Sequence, residues 1–186
     1  MVIIIFVLLT RMAILCNSGA GQNQYDLGVC MNKTFVILGC HRSASSLVAK
    51  ALHEAGVHMG DDLLSGLQDN PEGHFEDMDF LKKNVELLGG DIWNDIDRPL
   101  QDADTNELIN SKNTRPLWGW KDPRTTLTID KYYNHLEDPI IVGLFRKPEL
   151  VAKSMAKRGD ISEDEALSLA KAYNKNIIDF LSEHFL

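Results

Sequence analysis

The chain has 186 residues, 44% of them apolar and 25% charged, the balance of one globular domain with a real core. Its net charge of −8 argues against a broad nucleic-acid surface. An anionic ligand would need local cations acting against the overall field, and Arg42, Lys121, Arg124, Arg146 and Lys147 are the candidates.

Residues 1–30 read as a leader and linker, and 31–186 as the α/β domain. Val2 to Leu9 is a dense apolar run, interrupted at Arg11 and resumed through Cys16. It is shorter than the roughly 20 apolar residues of a membrane-spanning helix. It also lacks the charged start of an export peptide, and its cleavage signal is poor. Residues 17–30 are rich in Gly, Asn and Gln. Two readings stay open: Met31 as the natural start, or a real anchor or export signal in residues 1–16. Cys16, Cys30 and Cys40 show neither metal-site spacing nor a disulfide framework. Reduced thiols suit a cytoplasmic protein, whereas a real leader would make it anchored or exported.

The first strand is expected at 34–39, followed by a helix at 45–56 that stops at Gly56. Residues 57–75 read as loop, and Asp77 to Leu88 as a helix with Phe80, Leu81, Val85 and Leu88 on one side. Residues 89–116 are irregular and acidic, with a short helix near 104–111. A stretch of that length signals a functional loop or lid. Strands follow at 116–120 and 139–145, with a helix from Thr126 to His135 between them. Pro148 opens another helix, which runs to Lys157. Ser162-Glu163-Asp164-Glu165 is a capping box before a long helix carrying Leu167, Ala170, Tyr173, Ile177 and Leu181. Strands alternating with helices predict a covered, mainly parallel sheet, and ligands of such sheets bind beyond the carboxyl ends of the strands. Arg42, Lys121 and Arg146 stand at three of those ends.

The segment from Phe35 to Leu47 is the most informative. An apolar run ends at Gly39, a polar loop carries Arg42, Ser43, Ser45 and Ser46, and an apolar helical pattern begins. First-turn amides lack internal partners and sit at the positive end of the helix dipole, so the loop can seat a phosphate or sulfate. It is not a nucleoside-triphosphate loop of the form G-x-x-x-x-G-K-[ST], because the second glycine and the lysine are missing.

Three elements in order resemble the sulfotransferases that use 3′-phosphoadenosine 5′-phosphosulfate (PAPS), of the bacterial and tyrosylprotein type. His41-Arg42-Ser43-Ala44-Ser45-Ser46 is similar to the 5′-phosphosulfate loop, which often reads P-R-S-G-T-[ST]. Arg146, followed eight residues later by Ser154, resembles the 3′-phosphate element. Lys121-Asp122-Pro123 resembles the family's K-D-P. The resemblance covers about 35–180 and implies a P-loop NTPase-like three-layer α/β sandwich. It also implies a chain that continues beyond Leu186, since family members carry further strand and helix.

On this resemblance, Arg42 with Ser43, Ala44, Ser45 and Ser46 would cradle the 5′-phosphosulfate. Arg146 and Ser154 would hold the 3′-phosphate, and Lys121 would stabilise the transition state near the bridging oxygen. The loop-to-helix segment Gly73-His74-Phe75-Glu76-Asp77 is the best region for a general base. The resemblance favours Glu76, with His74 as runner-up. Ala44 stands where glycine is usual, which costs stability or affinity if the position requires positive φ. No metal is expected, because His53, His58 and His74 are scattered. Trp93, Trp118 and Trp120 are candidates for an acceptor pocket, the last two more naturally for the core. The acceptor stays open among carbohydrate, lipid, small alcohol, amine and peptide. The competing functions are a P-loop small-molecule kinase and a non-catalytic nucleotide-binding remnant.

Overall fold

The computed structural model describes residues 3–9, 32–64, 73–90, 99–159 and 161–185. In chain order the elements are β1 (Ile3–Leu9), β2 (Lys33–Gly39), α1 (Ser45–Glu54), α2 (Met78–Leu87), α3 (Asn106–Lys112), β3 (Leu117–Lys121), α4 (Thr125–Tyr133), β4 (Pro139–Arg146), α5 (Pro148–Ala156) and α6 (Glu163–Phe185). This is a mixed α/β fold with three parallel strands and six helices among the described residues.

The strand order is β1-β4-β2-β3. Ile37 of β2 lies opposite Lys121 of β3 on one side and Val142 of β4 on the other, both pairings parallel. The carboxyl ends of all three strands therefore reach one edge, which brings Gly39, Lys121 and Arg146 together. Gly119 permits the tight β2–β3 approach, because a Cβ there would lie 2.3 Å from the Phe35 carbonyl oxygen.

Residues 3–9, read from sequence as part of a leader, form a strand antiparallel to β4, with Ile3 opposite Arg146 and Leu9 opposite Ile140. A continuous apolar run does not say which strand it will pair with, so its place in the sheet is a tertiary result. No helix among the described residues is long and apolar enough to cross a membrane.

Side chains alternate across a strand, and each face of this sheet is covered differently. Val36, Leu38, Trp118, Trp120 and Ile141 face Phe80 of α2, Ile129 and Tyr132 of α4, and Ile177 and Phe180 of α6. Phe80 stacks on Trp120 at 4.2 Å between ring centroids. Trp118 and Trp120 are thus core residues, whereas Trp93 lies outside the described residues. On the other face, Ile37, Ile140, Val142 and Leu144 pack with Ala49 of α1, Val57 and Met59. A third cluster joins Cys40 to Val151 and Met155 of α5 and to Leu169 and Tyr173 of α6.

Local signals explain most element ends. Asp77 caps α2 by accepting from the Asp79 amide at 2.8 Å. Pro148 occupies the first turn of α5, where its missing N–H is not needed. The capping box of α6 is formed: the Glu165 amide donates to Ser162 Oγ, and the Ser162 amide donates to Glu165 Oε2.

Candidate functional site

Between β2 and α1 the chain turns in five residues, and the turn is held from inside. The Ser43 hydroxyl donates to the Cys40 carbonyl at 2.6 Å, and the Ser43 amide donates to the same oxygen. A Cβ at Gly39 would meet Ser43 Oγ at 2.8 Å and Leu144 Cβ at 3.2 Å, so the loop can close this tightly only over glycine. Two residues pay in backbone strain: Arg42 at φ 64° and Ala44 at φ 70° are both left-handed. Ala44 is the residue preceding α1, so the conformation that makes glycine usual in the sulfotransferase loop is present here without glycine. Burial pushes the Cys40 thiol up to about 12, which leaves it a packing residue and not a nucleophile.

Above the loop lies a cleft of about 330 Å³ lined by His41, Arg42, Ala44, Ser45, Ser46, Leu47, His74, Glu76, Lys121, Pro123, Arg146 and Arg158. Four of these are permanent or ordinary cations, against one carboxylate. In a chain of net charge −8, that reversal of sign is local and specific.

Lys121 is buried and donates to Glu76 Oε1 at 2.7 Å, with Ser46 Oγ at 3.4 Å. Burial lowers its pKa and the Glu76 carboxylate opposes that shift. Arg124 stands 3.9 Å from Glu76 Oε2 and pairs at 3.0 Å with Asp122. His74 is kept below the ordinary histidine range by burial, with Lys121 and Arg42 adding repulsion and Glu76 opposing. His41 retains some exposed surface, yet desolvation and the charges of Arg124, Lys121 and Arg158 hold it well below that range.

Arg146 donates through Nη1 to the Arg42 carbonyl. Its Nε is buried and has no hydrogen-bond partner among the described residues. A buried donor without an acceptor is costly unless something else supplies one, and an anion in the cleft would do so. Arg42 Nε donates to Ser154 Oγ at 3.1 Å, so α5 orients the loop arginine.

Behind the cleft, Asn84 is buried and uses every hydrogen-bonding group it has. Its Nδ2 donates to Asp122 Oδ2 and Thr125 Oγ1, and its Oδ1 accepts from Thr128 and Tyr132. Thr126 accepts from the Gly39 amide at 2.8 Å. The start of α4 therefore pins both the loop and the strand end that carries Lys121.

Of the residues singled out from sequence, Arg42, Ala44, Ser45, Ser46, His74, Glu76, Lys121 and Arg146 come together around the cleft. Ser43 does not: it is buried and turned toward Cys40. Ser154 touches Arg42 and is not part of the cleft wall. Lys147 is exposed and precedes α5. The sequence reading did not single out Arg158 or His41 as residues of the cleft wall. Arg158 follows α5 directly, in Lys157-Arg158-Gly159, and its only signal was a cation beside a helix-ending glycine. Among the described residues, no group of three or more His, Cys, Asp or Glu side chains is placed to hold a metal ion. No family model matches the chain, and comparison with curated proteins and with solved structures finds no match.

Proposed function

We propose that this protein is a PAPS-dependent sulfotransferase with a P-loop-like three-layer core, acting on a hydroxyl or amine acceptor. The observation that carries this reading is the cleft at the shared strand edge, where Arg42, Lys121, Arg146 and Arg158 converge from distant positions around a buried, unpartnered Arg146 Nε. One anion would sit on the loop, on the first-turn amides of α1 and the hydroxyls of Ser45 and Ser46. A second would take the Arg146 Nε and Arg158. Two separated phosphoryl groups on one ligand fit that layout better than a single one.

The transfer is an in-line displacement. The acceptor oxygen (or nitrogen) attacks sulfur and forms the new bond as the bond from sulfur to the 5′-phosphate oxygen breaks. The electron pair of that bond leaves with the phosphate. Lys121 and Arg42 stabilise the charge that grows there, which is the main task when the transition state is loose. Glu76 accepts the acceptor's proton. Lys121 holds its Oε1, and Oε2 stands toward Arg124 at 3.9 Å. His74 lines the same wall and is the alternative proton acceptor.

Calorimetric binding of adenosine 3′,5′-bisphosphate, against 5′-AMP and ATP–magnesium, tests this reading. The bisphosphate is expected to bind best. Arg146→Ala should weaken it by roughly tenfold to a hundredfold, the worth of a charge-assisted hydrogen bond. Magnesium-dependent ATP binding with no response to the bisphosphate would replace the sulfotransferase with a kinase.

A further inference from the structure

His41 is the loop residue that the proposed reaction leaves without a task. It lines the cleft beside Arg42, and its ring meets Tyr173 of α6 edge-on at 6.0 Å. The charged and titratable groups around it come from every neighbouring element. Lys121 and Arg124 flank the turn from β3 to α4, Arg158 follows α5, and His74 precedes α2. His74 in turn faces Glu76, Lys121 and Arg42. An imidazolium at position 41 would face the positive charges of Arg124, Lys121 and Arg158. An anion in the same cleft would meet Lys121 and Arg158 there and would set negative charge against that repulsion at the ring.

We propose that His41 couples anion binding in this cleft to the uptake of one proton from solvent, so that the site holds its anion more tightly as the pH falls. The physical sequence is simple. In the empty protein, desolvation and like charge keep the ring neutral. A dianion within a few ångström favours the charged ring. A proton therefore enters with the ligand, and linkage requires that acid conditions favour binding in return. The sign is fixed by the direction of the shift: a group whose proton affinity rises on binding strengthens binding below its bound-state pKa. The inference deepens the sulfotransferase reading for its cofactor but depends only on the cleft holding a polyanion.

The experiment is calorimetric titration of the full chain between pH 8 and pH 6, with adenosine 3′,5′-bisphosphate and, separately, inorganic pyrophosphate. Each is run in two buffers of different ionisation enthalpy. His41→Gln is compared throughout, which cancels the titration of the ligand's own phosphates. The expected result is that proton uptake falls in the variant by up to one per anion bound. The affinity advantage of the natural protein should grow as pH falls, by at most about tenfold per pH unit. Should His41→Gln fold poorly, the His41 ring resonances of the natural protein, titrated with and without pyrophosphate, give the same answer directly. An unchanged midpoint, or equal pH slopes in both proteins, overturns the coupling and leaves the bisphosphate reading standing. Coupled pyrophosphate binding without bisphosphate binding keeps the inference and removes the sulfotransferase. Failure of folded protein to bind either anion removes both.

Discussion

Two polar regions meet at the carboxyl end of β3, and the fold treats them in opposite ways. Asp122 and Asn84 belong to a network in which each group of Asn84 has a partner and no water is needed. Lys121, one residue earlier, lines a cleft where cations outnumber carboxylates and Arg146 Nε has no acceptor among the described residues. Each unpartnered buried polar group costs stability, and the Asn84 network avoids that cost. The unpartnered Arg146 Nε and the left-handed Arg42 and Ala44 stand at one cleft, where a ligand could complete the structure.

The sharpest way to break that comparison is at the Lys121–Glu76 pair, which belongs to both regions. Lys121→Met leaves the buried Glu76 carboxylate with Arg124 as its nearest cation. The expected loss is about 3 kcal/mol of unfolding free energy by denaturant titration. Adding Glu76→Gln should recover most of it, since the uncompensated charge is then gone. A double variant as unstable as the single one would show that packing, not charge, holds this corner. Next comes the network itself. Asn84→Ala leaves Asp122, Thr128 and Tyr132 short of partners, and about 2–3 kcal/mol is expected to disappear in the same measurement. A change within about 0.5 kcal/mol would mean that the network is incidental. The smallest effect is of opposite sign. Ala44→Gly relieves a left-handed alanine and should gain up to about 1 kcal/mol, partly offset by the greater freedom of glycine in the unfolded chain. A loss of stability on that change would show that the Ala44 methyl packs usefully enough to outweigh its strain.

Much of the architecture is legible in the sequence. The strands at 34–39, 116–120 and 139–145 and the helices after them appear within one or two residues, because each carries a local signal. Apolar runs end at Gly39 or a cation, Asp77 and Ser162 start helices, and Pro148 sits where a first turn tolerates it. The expectation that Arg42, Lys121 and Arg146 converge also follows from local reading, since parallel strands put their carboxyl ends on one edge. What did not follow are the contacts between residues far apart in sequence. Nothing local says that Glu76 pairs with Lys121, that Ser154 reaches Arg42, or that Arg158 folds back toward His41. Ile3–Leu9 makes the same point: its apolar character was plain and its partner was not.

By itself the sequence determined the order of elements, the strand–loop–helix seat and the supply of cations for an anion, because these rest on interactions within a few residues. It also placed alanine at a loop position whose φ turned out to be 70°. Only the tertiary structure decided which way Ser43 faces, that Arg158 joins the other cations of the cleft, and which donor is left without an acceptor among the described residues. Those outcomes depend on how three strand ends and five separate segments pack around one small volume. Arg42, Lys121 and Arg146 share the signal of a parallel strand end, whereas His74, Glu76 and Arg158 share with them only a common place in the fold.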